Sequence, residues 1–133
     1  MACDGSCSLP KKDVLFPYKQ LKGVLDMQSK TFDNPDETRT PSEKTKIEVV
    51  NLSGTDVMRA TFSPGWRWSN DIKPTAKTDL CQVHHRGLQT SGRMHVKMAD
   101  GTEAETGPGE VADIPPGHDA WVVGNEPVVG VDF

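Results

Sequence analysis

Three observations in the chain predict an all-β fold, specifically a small antiparallel β-barrel. Its 12 glycines and 10 prolines are spread along 133 residues instead of being gathered in repeats, as many short strands joined by tight turns require. Short stretches such as Lys46–Asn51, Val57–Phe62 and Arg93–Met98 alternate apolar with polar residues, the period of a half-buried strand. Turn signals then separate these stretches: Ser91-Gly92, Asp100-Gly101, Gly107-Pro108-Gly109 and Pro115-Pro116-Gly117. Closed barrels of this kind remove their own edges and hold ligands in the mouth or lumen.

Length and charge narrow the function. A chain of this size supports one domain with a real core. With 15 basic against 19 acidic residues the net charge is -4, and no basic patch is visible, which excludes a broad nucleic-acid surface. No helix-turn-helix pattern is present either. No stretch approaches the ~18 apolar residues of a membrane helix. The opening MACDGSCSLPKK lacks an apolar signal core, and three cysteines are an odd number for a disulfide framework, so a cytoplasmic protein is expected.

Taken in order, residues 1–27 read as a leader with a docking segment, and residues 28–133 as a single barrel domain. Cys3 and Cys7 have a C-x-x-x-C spacing, but no second pair completes a tetrahedral site, and two incidental cysteines are the simpler reading. Val14 to Leu25 is apolar enough to dock on the barrel, with Pro17 and Gly23 interrupting any long helix. Phe32 to Glu43 is polar and aperiodic. It reads as a long loop, with a lid carrying Asp36, Glu37 and Arg39 as the alternative. Strands follow at Lys46–Asn51 and Val57–Phe62, the latter placing Met58, Ala60 and Phe62 on one face. Past Pro64-Gly65, Trp66 and Trp68 point the same way if the piece is extended. They either seal one end of the barrel or form an aromatic wall of a ligand pocket, with Arg67 or Lys73 supplying a charge.

The chemistry concentrates between Cys81 and Trp121. As one strand, Asp79–His85 would put Asp79, Cys81, Val83 and His85 on the inward face and leave His84 at the rim. By the same parity Met94, Val96 and Met98 face in, while Arg93, His95 and Lys97 face water, so His95 is not expected to be a ligand. His118 shares parity with Ala120 and Val122. Cys81, His85 and His118, with Asp79 or Asp119, are acceptable ligands for a divalent transition metal such as zinc, iron, nickel or manganese. Two histidines with one thiolate or carboxylate leave an open position for water or substrate. The alternatives are a metal-free pocket for an organic ligand, and a nucleophilic Cys81 paired with His85, which an apolar lumen would disfavour by raising the thiol pKa.

The order of parts resembles the cupin family, a jelly-roll double-stranded β-helix: a histidine-bearing strand, a turn with one glycine, then PGE before IPPG and a histidine. Against the first cupin motif, G-x5-H-x-H-x3,4-E-x6-G closed on Gly92, His85 takes the glutamate position, and Cys81 and Asp79 take the two histidine positions. Against the second, G-x5-P-x-G-x2-H-x3-N, Gly109, Pro115 and Gly117 match. The histidine position is Ala120, with His118 two residues earlier. The usual three-histidine, one-glutamate site therefore does not assemble. PGWRWS, SGRMHV, DGTE and IPPGHDAWVVG further resemble a subgroup of small cupin proteins of undefined activity. The resemblance implies a homodimer with a small-molecule ligand, and the residues themselves offer Trp66, Trp68, Cys81, His85 and His118 to hold it. Two functions follow: a binding module with a divalent metal in its barrel, or a small metalloenzyme of oxygenase, isomerase or hydrolase type.

Overall fold

A computed structural model describes residues 27–133; the expected docking segment, with Cys3 and Cys7, lies outside the described residues. The described chain is all-β apart from two one-turn helices. Its strands are β1 (Glu37–Ser42), β2 (Thr45–Leu52), β3 (Thr55–Phe62), β4 (His85–Ser91), β5 (Arg93–Met98), β6 (Glu103–Thr106), β7 (Val111–Ile114), β8 (His118–Val123) and β9 (Val128–Asp132). The helices, α1 (Trp68–Asp71) and α2 (Lys73–Ala76), lie between β3 and β4. Among the described residues no helix is long and apolar enough to cross a membrane.

Two antiparallel sheets form, one of six strands in the order β1-β2-β3-β9-β4-β7 and one of three in the order β6-β5-β8. Gly92 marks the passage from the first sheet to the second. It sits at φ 76°, and a side chain there would collide with Pro127 and Val128, so only glycine fits. The Asp100-Gly101 hairpin joins β5 to β6, as its sequence predicts, with Glu103 and Glu105 exposed.

The sheets do not close into a barrel, which corrects the expected architecture. On the free side of β8 the neighbouring chain makes only the isolated bridges Arg67–Trp121 and Cys81–His118. Residues 63–84 would have to run as a strand to complete the ladder there. Pro64 and Pro74 cannot donate to a ladder, and the stretch winds into α1 and α2 instead. Trp66 and Trp68 are consequently not on one extended piece, because Trp68 begins α1.

The expected loop at 32–43 is likewise corrected: Glu37–Ser42 is an edge strand, paired with β2 alone. All but its last residue are exposed, so it has no buried face to impose an apolar period on the sequence. Pro41 falls where the pairing slips between Arg39 and Ser42, the kind of edge position a proline tolerates. The lid alternative loses its groups too. Glu37 pairs with Arg39, and Asp36 accepts the Asn51 N–H and the Lys30 ammonium.

The core lies between the sheets. Trp66, Trp68, Cys81, Met94, Val96, Ala120, Val122 and Val128 form one buried cluster, with Phe62, Ile72, Met98 and Ile114 packed against it. Each large side chain fully removed from water there contributes about 1.5–3 kcal/mol. Met94 and Val96 point inward and Arg93 and Lys97 outward, as strand parity predicts. His95 is half-buried, stacked on Trp121 at 4.6 Å between ring centroids and hydrogen-bonded to Glu103, away from the core.

Candidate metal centre

Three donor side chains meet where the two sheets approach at one end. His85 opens β4 in the larger sheet and His118 opens β8 in the smaller. Cys81 is tied to the free edge of β8, its N–H donating to the His118 carbonyl at 2.8 Å. One ligand atom from each of Cys81, His85 and His118 lies within 4.8 Å of the other two. The two imidazole rings are 5.3 Å apart and inclined at 63°.

The route by which Cys81 and His85 meet differs from the one expected. Residues 79–85 are not one strand: β4 begins only at His85, and Cys81 contributes a single bridge. Strand parity therefore fails for their neighbours. Val83 is exposed, and the Asp79 side chain is fully in solvent beside Lys73. The chain folds back between Cys81 and His85 and brings Sγ to 3.6 Å from His85 Nε2. Asp119, the other carboxylate considered, is committed elsewhere. It accepts the N–H groups of Ser69 and Ala120 and pairs with Arg67 at 3.1 Å, clamping α1 to β8. His84 lies at the surface on Asp113.

Hydrogen bonding selects which imidazole nitrogen is free. His85 Nδ1 is 2.7 Å from Asp132 Oδ2, and His118 Nδ1 is 2.7 Å from the Pro115 carbonyl oxygen. A carbonyl can only accept, so His118 Nδ1 carries the proton and its Nε2 keeps the lone pair in the neutral ring. This outer-shell pattern, Nδ1–H given to a carboxylate or a backbone carbonyl, accompanies metal-bound histidines. The spacing fits as well. Metal–sulfur and metal–nitrogen bonds of about 2.3 and 2.0 Å at a tetrahedral angle put sulfur and nitrogen about 3.5 Å apart.

Ionisation favours the thiolate. Burial opposes it, but the His118 and His85 rings and the Val83 N–H beside the sulfur outweigh burial and bring the Cys81 thiol down to about 6. The apolar-lumen expectation of a raised thiol is thereby corrected: the polar neighbours win. Burial also disfavours the His85 imidazolium, yet the Asp132 carboxylate and the Cys81 sulfur raise His85 to about 9. Without a metal, the pair rests as thiolate and imidazolium.

Access is one-sided. Cys81 and His118 are buried at 5% and 3% relative exposure, while 33% of the His85 side chain meets solvent. Trp66 and Trp68 share the core cluster with Cys81. Trp66 stacks on Phe62 at 4.1 Å and gives its indole N–H to Thr45 Oγ1. Neither tryptophan lines either of two surface hollows, one around Ser42, Lys44 and Thr61, the other around Ser29, Lys30 and Asn34. Asp132, Gly87 and the Pro115 carbonyl join the site without any sequence signal. Their roles depend on which strand lies beside β4 and how the Pro-Pro-Gly turn folds.

No family model and no curated protein matches the chain. Solved structures do share its fold. KdgF from Halomonas sp. superposes with a TM-score of 0.55 at 13% identity, over 80% of this chain and 90% of that one. The polyketide cyclase RemF from Streptomyces resistomycificus gives 0.54 at 18% identity, over 80% and 79%. A Klebsiella pneumoniae protein with a double-stranded β-helix domain gives 0.50 at 20%, over 80% and 88%. At such identities the likeness is one of fold. Two packed antiparallel sheets in this order, set beside those structures, give the chain a fold of the double-stranded β-helix kind.

Proposed function

We propose that this protein is a small cupin-type metalloprotein in which Cys81, His85 and His118 hold one divalent transition metal, and in which a small molecule approaches from the His85 side. One observation carries the reading: both histidines spend Nδ1 on fixed acceptors, which leaves Nε2 for a metal, and one ligand atom from each lies within 4.8 Å of the Cys81 sulfur. A thiolate among the ligands favours zinc, iron or nickel over manganese. Three protein ligands leave a further position open, and there a bound metal supplies Lewis acidity toward an oxygen or nitrogen of the small molecule. The chain's own part is to present two neutral imidazoles and one thiolate, to exclude water on the Cys81 and His118 side, and to admit a ligand past His85. A cytoplasmic setting, which keeps thiols reduced, suits this centre.

The open position is also what a small metalloenzyme requires, and RemF shows that the fold accommodates an enzyme, a polyketide cyclase. A binding module and an enzyme share the same metal test. Protein purified without chelators or a histidine tag should carry about one zinc, iron or nickel per chain by elemental analysis. C81S, H85A and H118A should each lose it. Wild-type protein that stays metal-free after reconstitution with all three metals would sink the proposal, as would metal retained by all three variants.

A further inference from the structure

The structure assigns Asp132 as the positioning residue of this centre and Gly87 as the vacancy that lets it act, an inference that rests on the metal reading above. Asp132 ends β9 and is the direct cross-strand partner of Gly87 on β4, two residues beyond His85. Residues two apart on a strand share a face, so Asp132 stands diagonally from His85, where Cβ atoms are about 7–8 Å apart. A short carboxylate spans that diagonal only by leaning across the position opposite it. Asp132 does so, reaching His85 Nδ1 at 2.7 Å.

Gly87 is what leaves the path clear. Its backbone is not in the left-handed region, so no conformational demand explains the glycine. A Cβ built there would instead run into Asp132 Oδ1 and the Val131 carbonyl oxygen. Any larger residue at 87 must push the carboxylate off its line to His85. The consequence is chemical. With Nδ1–H held by Asp132, the His85 ring is locked in rotation and tautomer and its Nε2 is made a stronger donor. His118 has a backbone carbonyl for the same purpose, so the more exposed of the two histidines depends on a side chain, and through it on a neighbouring glycine.

Cobalt(II) as the metal probe tests this on the full chain. Affinity is measured by chelator competition, and the sulfur-to-cobalt charge-transfer band reports the Cys81 bond. Wild type should bind with that band present. D132A should bind about 100-fold more weakly and D132N about 10-fold, because Asn keeps an acceptor oxygen but loses the charge. Both should retain the charge-transfer band at saturating cobalt. G87A should weaken cobalt binding with every donor still in place. Should D132A or G87A fail to fold, D132N alone decides. Unchanged affinity in D132N, with wild type binding normally, overturns the positioning role and leaves the metal centre standing. Wild-type protein that takes up no cobalt overturns both.

Discussion

Cys81 Sγ lies 3.6 Å from His85 Nε2 although the two residues are four positions apart, a separation that a continuous strand would stretch to about 13 Å. The fold-back that closes this gap creates the ion pair, and the ion pair sets the resting charge of the site. In metal-free protein the thiolate should appear with a midpoint near 6 when followed by its ultraviolet absorbance against pH. H118A and H85A should each move the midpoint up, toward the ordinary cysteine value of about 8.5. A wild-type midpoint at that ordinary value would contradict the assigned pairing.

Metal binding should stabilise the fold, because the ligands come from both sheets and converge only in the folded chain. Free zinc at 100 times its dissociation constant adds about 2.7 kcal/mol, which for a domain of this size raises the thermal midpoint by roughly 10 °C. A chelator should reverse the gain, and C81S should abolish it. Scanning calorimetry with and without zinc is the check.

Glu48 and Arg59 face each other across β2 and β3 with two hydrogen bonds of 2.9 and 3.0 Å, and the Glu48 side chain is only 7% exposed. The Arg59 guanidinium holds the Glu48 carboxyl below its usual 4.5. A carboxylate whose pKa is lowered by folding lends stability that is complete above the unfolded value and is lost as pH falls through the folded one. E48Q should therefore cost about 1.5–3 kcal/mol at pH 7. The gap to wild type should begin to narrow below about pH 4.5 and close only below the lowered folded value, where the carboxyl is protonated in both states. Denaturant titrations at both pH values would expose a constant gap, which would refute the assignment.

Thr45 Oγ1 is the acceptor for the buried Trp66 indole N–H at 2.9 Å. T45V should leave that donor unpaired in the core and cost about 1–3 kcal/mol, whereas T45S should stay close to wild type. Urea unfolding of the two variants distinguishes a polar role for Thr45 from a purely steric one.

Much of this molecule is legible in the linear sequence, for identifiable reasons. β2, β3 and β5 are predicted because each buries part of its length against the core, and burial imposes a pattern on composition. Asp100-Gly101 declared its hairpin through backbone chemistry alone. Cys81, His85 and His118 stood out as metal-ligand residue types, and strand parity separated His95 from them. Tertiary structure decided what depends on partners distant in the chain. Edge strand β1 has nothing to bury, so no period betrays it. Residues 63–84 hold two one-turn helices and irregular chain instead of a strand that would close a barrel, and Cys81 meets His118 through one bridge. Asp79 and Asp119 are ligand types that the fold sends to solvent and to Arg67, respectively. Asp132 and Gly87 matter only because β9 lies beside β4. Local alternation and turn chemistry act within a few residues and are written where they act, whereas a donor set is a meeting of separate strands that only the packed sheets bring about.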